Sequence, residues 1–394
     1  MLTSLILSAA AAASGSSVPA DGTSWTIHAD KVYTSTGKVH ESALIVVEGG
    51  KIRAITPGVE ATRDALHAPV VTAGMVDASA RLNSGTSSVE QSSEVTPLVS
   101  AEFGLDLYSP GWGRLARTGV TSAFITPLNQ NCVGGMGTVV KTAGDRSIKA
   151  RTVEGAPMLC GAIGSQPSQR NSSAFGRPTS FFNRRPTTRM GVEWEWRKSF
   201  FEAAQAKEPD DAQKVLLDAL AGKVGVFVQA WATQDIRTAV FLKEEMAREG
   251  FGEMRLVIDA GAEAWREPAM LVRTNTSVIL PPVPAQGRTT DGALMSVECA
   301  RVLRDNGISF ALSGHGASRL DIQAGLAMRG GLTREQALRA VTLTPAQLLG
   351  VDGRVGSVEA GKDADLILWN GEPFEATTRP VGVLIGGHLA LDPR

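Results

Sequence analysis

Between residues 73 and 350 the chain alternates short apolar runs with amphipathic segments of helical period, and this alternation constrains the fold most. Because each short, β-branched run is followed by a helical segment, the strands are expected to lie parallel in one sheet. About eight such units in about 280 residues favour a closed (β/α)8 barrel, an α/β fold, over a doubly wound sheet. The predicted strands read VVTAGMVDA, GVTSAFITP, GTVVKT, PMLCGAIG, GVFVQAWA, MRLVIDAG, TSVILPP and ISFALSGH.

The two ends of the chain differ from this middle part. Trp25–Tyr33 and Ala43–Val47 are predicted strands near the start, and Asp365–Trp369 and Val381–Ile385 are predicted strands near the end. Tight turns with Gly-Gly separate them from the next apolar run, as in an antiparallel sheet. We therefore expect residues 23–72 and 351–394 to form one small sheet domain and residues 73–350 to form the barrel.

Composition excludes several classes of function. The formal net charge of the 394 residues is -1 and no basic cluster is present, which argues against nucleic-acid binding. The three cysteines show no metal-binding spacing. Residues 1–22 hold an apolar stretch followed by small residues, typical of a signal peptide that directs export or of a disordered leader. No segment predicts a stable membrane span.

In a barrel of this kind the working side chains lie at the C-terminal ends of the strands. A catalytic zinc needs about three protein ligands there. Of the five histidines, His315 alone follows a predicted barrel strand. The predicted strand ends carry Asp77, Ser79 and Arg81 after the first strand, Gln229 and Trp231 after the fifth, Asp259, Ala260 and Glu263 after the sixth, and Gly314 and His315 after the eighth.

Seven segments of the chain carry recognisable motifs, namely Leu332–Leu338, Thr344–Ala346, Arg354–Leu366, Ala73–Ala78, Glu94–Pro97, Thr118–Thr121 and Thr188–Gly191. These motifs are similar to those of the amidohydrolase superfamily, in particular its exported imidazolonepropionase-like members. The most specific match is C-terminal, and together the matches cover nearly the whole chain beyond the leader. The resemblance implies a metal-dependent barrel joined to a composite β-sandwich, assembled as dimers or larger oligomers.

This sequence departs from the family pattern at the positions that hold metal. Where the resemblance places metal-binding histidines, the chain has Ser79 and Arg81, then Gln229 and Trp231, then Ala260. The final metal-binding aspartate matches Gly314 or His315, and the family's lysine matches Cys160. A cationic Arg81 would also repel a divalent ion. We therefore expect no bound metal and no other cofactor in the barrel.

Three functional hypotheses follow. The leading one is a non-catalytic protein, a pseudoenzyme that serves as a subunit beside an active amidohydrolase or as a homo-oligomer, or a ligand-binding barrel. The alternative is a hydrolase of carbon–nitrogen bonds with an atypical or metal-free site built from Asp77, Cys160, Asp259, Glu263 and His315. In the third, the barrel mouth binds a small anion or aromatic acid through Arg81, Arg189, Gln229 and Trp231.

Two further segments are interpreted structurally. The polar segment from Gln166 to Arg189 is predicted to be a long loop over the barrel mouth, acting as a lid or an oligomer contact. Trp194, Trp196 and Phe200 follow it at helical spacing, which favours a helix whose aromatic side chains lie in the core or in a subunit interface.

Overall fold

The structure, a computed structural model, describes residues 24–61, 65–80, 90, 92–169, 185–283 and 290–393. The predicted leader, residues 1–22, therefore lies outside the described residues, as do Arg81 and most of the predicted lid. Within the described ranges no helix combines the length and the apolarity needed to cross a bilayer.

Strands and helices alternate through the middle of the chain, whereas both ends consist of strands. The strands are β1 (Trp25–Tyr33), β2 (Val39–Glu48), β3 (Lys51–Pro57), β4 (Leu66–Ala73), β5 (Met75–Ala80), β6 (Val120–Ile125), β7 (Val133–Met136), β8 (Thr138–Lys141), β9 (Met158–Ala162), β10 (Gly225–Gln229), β11 (Leu256–Asp259), β12 (Ser277–Leu280), β13 (Phe310–Leu312), β14 (Leu366–Trp369), β15 (Pro380–Ile385) and β16 (His388–Leu391). The helices are α1 (Pro110–Arg117), α2 (Ile148–Arg151), α3 (Gln166–Gln169), α4 (Arg189–Gln205), α5 (Asp211–Leu220), α6 (Thr233–Arg248), α7 (Pro268–Arg273), α8 (Cys299–Asp305), α9 (Leu320–Arg329), α10 (Arg334–Val341) and α11 (Leu343–Leu348).

Strands from both ends of the chain share one seven-stranded sheet, in the order β16-β15-β14-β4-β1-β2-β3. β1 pairs antiparallel with β2 and parallel with β4, and β4 pairs antiparallel with β14. Alternate residues of these strands, such as Ile27, Ala29 and Leu366, form a buried apolar cluster on one face. The opposite face of β1 carries polar residues, as the period of two in a strand requires.

The predicted strand VVTAGMVDA is wrong as a single element. β4 ends at Ala73 and pairs in the terminal sheet, whereas β5 begins at Met75 and pairs parallel with β6. Gly74 lies between them, and a Cβ atom there would come within 2.2 Å of the Thr121 hydroxyl. The chain crosses from one sheet to the other at this glycine because only a residue without a side chain fits beside Thr121.

Two further sheets make up the middle of this α/β fold. One has six strands in the order β13-β12-β11-β10-β9-β7, in which β9 to β13 run parallel. The other has three strands in the order β5-β6-β8. Among the described residues no backbone ladder joins β13 to β5, but side chains at their C-terminal ends are in contact.

The segment predicted as the parallel strand GTVVKT is antiparallel instead. β8 pairs antiparallel with β6, and β7, which the sequence did not predict, pairs antiparallel with β9. A parallel pair needs a crossover, usually a helix, and no helix lies between Ile125 and Thr138. Segment 133–141 therefore links the two sheets, because β7 lies in the six-stranded sheet and β8 lies in the three-stranded sheet.

The apolar side chains inside the parallel strands form one buried cluster, in which Phe124 packs edge-on against Phe227 at 5.0 Å. Side chains two positions further along a strand share the same face, so Gln229 follows Phe227 and Asp259 follows Val257 toward the C-terminal ends. The interior cluster includes Val76, Ala78, Phe124, Val139, Met158, Cys160, Phe227, Val257, Ile279 and Ala311.

The C-terminal motif connects the terminal sheet to β8. The buried Lys141 ammonium donates to Asp365 and lies 3.1 Å from Asp363. Asp363 also pairs with Lys51 at 2.6 Å and with Arg354 at 2.9 Å. Burial raises the pKa of Asp363, but these cations outweigh it and hold the pKa below its ordinary value. The acidic residues of this motif are thus structural.

The helices begin where the sequence has capping residues. Thr333 and Gln336 form a capping box at the start of α10, with each side chain bonded to the other's backbone N–H. In α4 the predicted aromatic set divides: Trp196 and Phe200 are fully buried, whereas Trp194 is 54% exposed. The prediction of a core role therefore holds for two of the three residues.

Candidate functional site

Asp77, at the end of β5, is fully buried and holds the turn that follows β13. Its Oδ1 accepts hydrogen bonds from the Ser313 hydroxyl at 2.6 Å and from the backbone N–H groups of Gly314 and Ser79 at 3.3 Å. Its Oδ2 accepts from the Gly316 N–H at 3.1 Å. Both carboxylate oxygens are therefore engaged by protein donors, as expected of a structural acid.

Burial is the main influence on Asp77 and raises the pKa of this carboxyl, while the hydrogen bonds from Ser313, Gly316, Ser79 and Gly314 act in the opposite direction. Three of these hydrogen bonds go to Oδ1 and one to Oδ2, so most of the acceptor capacity of this carboxylate is used within the protein. Asp77 thus connects the C-terminal ends of β5 and β13.

Three buried donor groups at the strand ends lack an acceptor among the described residues. They are the side-chain amide nitrogen of Gln229, the indole nitrogen of Trp231 and the hydroxyl of Ser79. Gln229 and Ser79 are at most 2% exposed, and Trp231 is 9% exposed. Buried polar groups without partners are rare in folded proteins, so each one requires an explanation.

Asp259 and His315 meet at the same edge. Asp259 ends β11, and His315 Nε2 lies 4.0 Å from its Oδ1. The indole of Trp231 packs edge-on against the His315 ring, with centroids 5.8 Å apart. Cys160 lies one layer deeper, where burial, with a smaller contribution from Asp259, raises the pKa of its thiol. Cys160 is therefore a protonated packing residue and not a nucleophile.

The backbone at two of these strand ends is unusual. Ala260 and His315 both have positive φ, at 54° and 51°, a region that residues other than glycine seldom adopt. A Cβ atom at Gly314 would lie 2.2 Å from the Ser318 carbonyl oxygen. An aspartate at position 314 would therefore require a different conformation of this turn.

Glu263 does not face the other candidates. Its Oε2 accepts hydrogen bonds from the N–H and hydroxyl of Thr233, the first residue of α6, and lies 3.3 Å from Arg266. A carboxylate at this place satisfies the helix N-terminus and interacts favourably with its dipole. The predicted inclusion of Glu263 among the reactive groups is thus not supported by its contacts.

Arg189 holds an acidic pair that the sequence did not reveal. The guanidinium, on the first residue of α4, bonds to Asp291 at 2.6 Å and lies 3.5 Å from Asp235. Burial raises the pKa of Asp235 to about 6; Arg189 opposes this shift, and Asp291 and Glu263 add to it. The predicted ligand clamp Arg189 is therefore already paired. Asp235 lies in α6 and Asp291 in a short 3-10 helix more than fifty residues later, so no local motif indicates the cluster.

The donor set at the strand ends does not fit the metal that the resemblance implies. Asp77 holds the turn after β13 through four hydrogen bonds and Glu263 binds a helix end, so Asp259 and His315 are the remaining donors among the described residues. Two protein ligands are fewer than the three that a hydrolytic metal needs. Among the described residues, no group of three His, Cys, Asp or Glu side chains at the barrel strands has its ligand atoms within 4.8 Å of one another.

Comparisons with known proteins agree with the fold and with the C-terminal motif. The model of the amidohydrolase family matches residues 286–390. The crystal structure of an amidohydrolase from Thermotoga maritima MSB8 is similar to 92% of this chain and 98% of that one, at a TM-score of 0.79 and 26% identity. The chain is therefore similar to amidohydrolases, in fold over most of its length and to the family model over its C-terminal part.

Two curated proteins are similar to this chain in sequence. Amidohydrolase tasK of Hapsidospora irregularis is 24% identical over 88% of the chain. An imidazolonepropionase of Shewanella frigidimarina (strain NCIMB 400) is 51% identical over 39 residues, or 10% of the chain. The chain spans 40% of the length of tasK and 10% of the length of the imidazolonepropionase.

Proposed function

We propose that this protein is a non-catalytic member of the amidohydrolase family and binds a small molecule with hydrogen-bond acceptors at the strand ends. One observation carries the proposal: the buried N–H donors of Gln229 and Trp231 have no acceptor among the described residues. A buried donor without a partner costs on the order of 1–3 kcal/mol. A carboxylate or amide oxygen placed between these donors would recover this free energy.

The surroundings favour a planar ligand. Trp231 packs with Ala260, Ala262 and Met295 in a small apolar cluster, and its ring meets that of His315. Aromatic walls beside a few fixed donors are typical of pockets that select an aromatic or acylated acid. The pairing of Arg189 with Asp291 argues against Arg189 as the anion clamp, so Gln229 and Trp231 are the proposed contacts.

The proposal includes the architecture predicted from the sequence. We propose a (β/α)8 barrel of residues 73–350 and a β-sandwich built from residues 23–72 and 351–394. Support comes from the parallel order of β9 to β13, the contact of Ser313 with Asp77 and the sharing of one sheet by both chain ends. Export, and association with an active amidohydrolase or with a second copy, stay predictions.

A metal-free hydrolase of carbon–nitrogen bonds is the second candidate. The 4.0 Å approach of His315 to Asp259 favours it, because an imidazole oriented by a carboxylate can act as a general base. In this reading His315 would take a proton from water and Asp259 would stabilise the imidazolium. The family suggests hydrolysis of such bonds, and the two candidates predict different fates for the same ligand.

Hippurate, N-benzoylglycine, tests both candidates because it has an aromatic ring, an amide and a carboxylate. We expect hippurate to raise the melting temperature of the wild-type protein and to be recovered intact. The increase should be lost in Gln229→Ala and Trp231→Phe, the latter of which removes only the indole N–H and retains most of the ring. Trp194→Phe, at an exposed position, is the matched control.

Enzymatic release of benzoate and glycine that is lost in His315→Ala would support the hydrolase and contradict the binding proposal. A wild-type protein that neither binds nor cleaves hippurate, benzoate or their amides would contradict both.

A further inference from the structure

Two histidines and an aspartate lie together on the polar face of the terminal sheet, away from the barrel strands. His28 and Asp30 are two positions apart on β1, and His67 is the register partner of His28 on the parallel strand β4. His67 Nε2 lies 2.8 Å from Asp30 Oδ1, and His28 Nδ1 lies 4.0 Å from the same oxygen. One ligand atom from each residue lies within 4.8 Å of the others.

The hydrogen bonds of His28 determine which of its ring nitrogens is free. Its Nε2 is 3.1 Å from the carbonyl oxygen of Val59, which can only accept, so Nε2 carries the proton. The lone pair of the neutral ring is then on Nδ1. That atom is buried, has no hydrogen-bond partner among the described residues and lies on the side of Asp30. His28 itself is 5% exposed.

A ring N–H bonded to a backbone carbonyl, with the other nitrogen free, is the arrangement in which proteins present histidine to a metal. The bond to Val59 fixes the tautomer and the orientation of the ring before any ion arrives. The rings of His28 and His67 are stacked, with centroids 5.5 Å apart and an angle of 16° between their planes. The two imidazoles therefore lie side by side, and Asp30 is within reach of both.

We propose that His28 Nδ1, Asp30 and His67 Nε2 bind a divalent transition-metal ion, with Zn²⁺ as the probe. Without the ion His67 Nε2 donates its proton to Asp30 in a hydrogen bond, so binding requires this proton to move to His67 Nδ1 through solvent. Two imidazole nitrogens and one carboxylate oxygen suit Zn²⁺, Cu²⁺ and Ni²⁺ better than Mg²⁺ or Ca²⁺. Small side-chain movements bring ligand atoms at these separations to the distances of about 2.0–2.2 Å that Zn²⁺ requires. The side chains of Asp30 and His67 are 59% and 52% exposed, so water can complete the coordination.

The ion would connect β1 and β4, two neighbouring parallel strands of the terminal sheet. β1 pairs with β2, and β4 leads directly through Gly74 into β5 and Asp77. Because the ion binds the folded sheet and not the unfolded chain, it should stabilise the protein by mass action. The site is a structural one, independent of the strand ends in the barrel.

The test uses tag-free, full-length protein treated with a chelator and then titrated with Zn²⁺ against a chromogenic competitor. We expect one tight ion per chain and a higher melting temperature with Zn²⁺. His67→Ala and Asp30→Asn should each weaken binding by at least about tenfold and reduce the thermal shift. Both positions are exposed, so these variants are expected to fold. His388→Ala, an exposed histidine of the same sheet, should bind Zn²⁺ as the wild type does.

Substitution with Co²⁺ gives a spectroscopic readout. Bound Co²⁺ should show visible absorption of a low-coordinate site with nitrogen ligands, and the band should be absent in His67→Ala. The proposal is overturned if the wild type binds no ion under these conditions, or if His67→Ala and Asp30→Asn retain the stoichiometry and affinity of the wild type.

Discussion

Asp77 and Ser79 lie two positions apart on β5, and both are fully buried, yet their side chains differ in what they contact. The Asp77 carboxylate accepts four hydrogen bonds, whereas the Ser79 hydroxyl has no partner among the described residues. The resemblance alone explained neither fact, because it indicates which residue types differ from the family and not which contacts persist. Asp77 holds the turn after β13 through its contacts with Ser313, Gly314 and Gly316.

We predict that Asp77→Ala lowers the free energy of unfolding by about 3 kcal/mol or more, because it removes the acceptor of the Ser79, Gly314 and Gly316 N–H groups and leaves the Ser313 hydroxyl with the Ser79 carbonyl alone. Ser79→Ala removes a hydroxyl that has no partner among the described residues and should change stability by less than about 0.5 kcal/mol. Urea denaturation of both variants checks this pair. Equal losses in the two would show that Asp77 has no special structural role.

The raised pKa of Asp235 predicts that the free energy of unfolding depends on pH. Because burial raises its pKa to about 6 from an ordinary value of 3.8, the folded protein holds this proton more tightly than the unfolded chain does. The stability from Asp235 is therefore present at low pH and lost as pH rises from about 4 to 6. Asn at position 235 does not titrate, so the stability of Asp235→Asn relative to wild type should increase on the order of 2 kcal/mol over this window and then stay constant. A difference between the two proteins that is the same at pH 4.5 and pH 7.5 would contradict this.

At the scale of elements, most strands of the middle part could be predicted, because short β-branched apolar runs flanked by turns seldom adopt another secondary structure. The strand β7 was missed since Val133–Met136 contains two glycines and no alternating pattern. The run VVTAGMVDA was joined across Gly74 because hydrophobicity continues through it. Sheet membership there depends on Thr121 and on the carbonyl of Asp365, which accepts from the Gly74 N–H, and these contacts come from distant parts of the chain.

Lys141 tests the interpretation that the C-terminal motif is structural. Lys141→Met removes the cation between two buried carboxylates, and a broken buried pair typically costs about 3–5 kcal/mol. We expect a loss of this size in the free energy of unfolding. Lys149→Met, at an exposed position in the next helix, is the control and should have little effect. A Lys141→Met variant as stable as this control would show that the connection between β8 and the terminal sheet is unimportant.

At the scale of the whole molecule, the sequence located the candidate site at the C-terminal ends of the strands but not the contacts within it. The approach of Asp259 to His315 and the packing of Trp231 follow from strand order, which the predicted barrel anticipates. Strand order does not predict the pairing of Arg189 with Asp291 or the register of His28 with His67. Each of these contacts joins elements whose relative position only the complete fold determines. Within the described ranges, a framework with family motifs therefore surrounds strand ends that bring together fewer than the three donors a hydrolytic metal needs.

Diffraction from crystals soaked in Zn²⁺, recorded at the zinc absorption edge, tests this central claim most directly because it locates each ion. The account predicts no anomalous peak among Asp77, Asp259 and His315, whatever is found at His28, Asp30 and His67. A fully occupied zinc peak at the C-terminal ends of the barrel strands would contradict it.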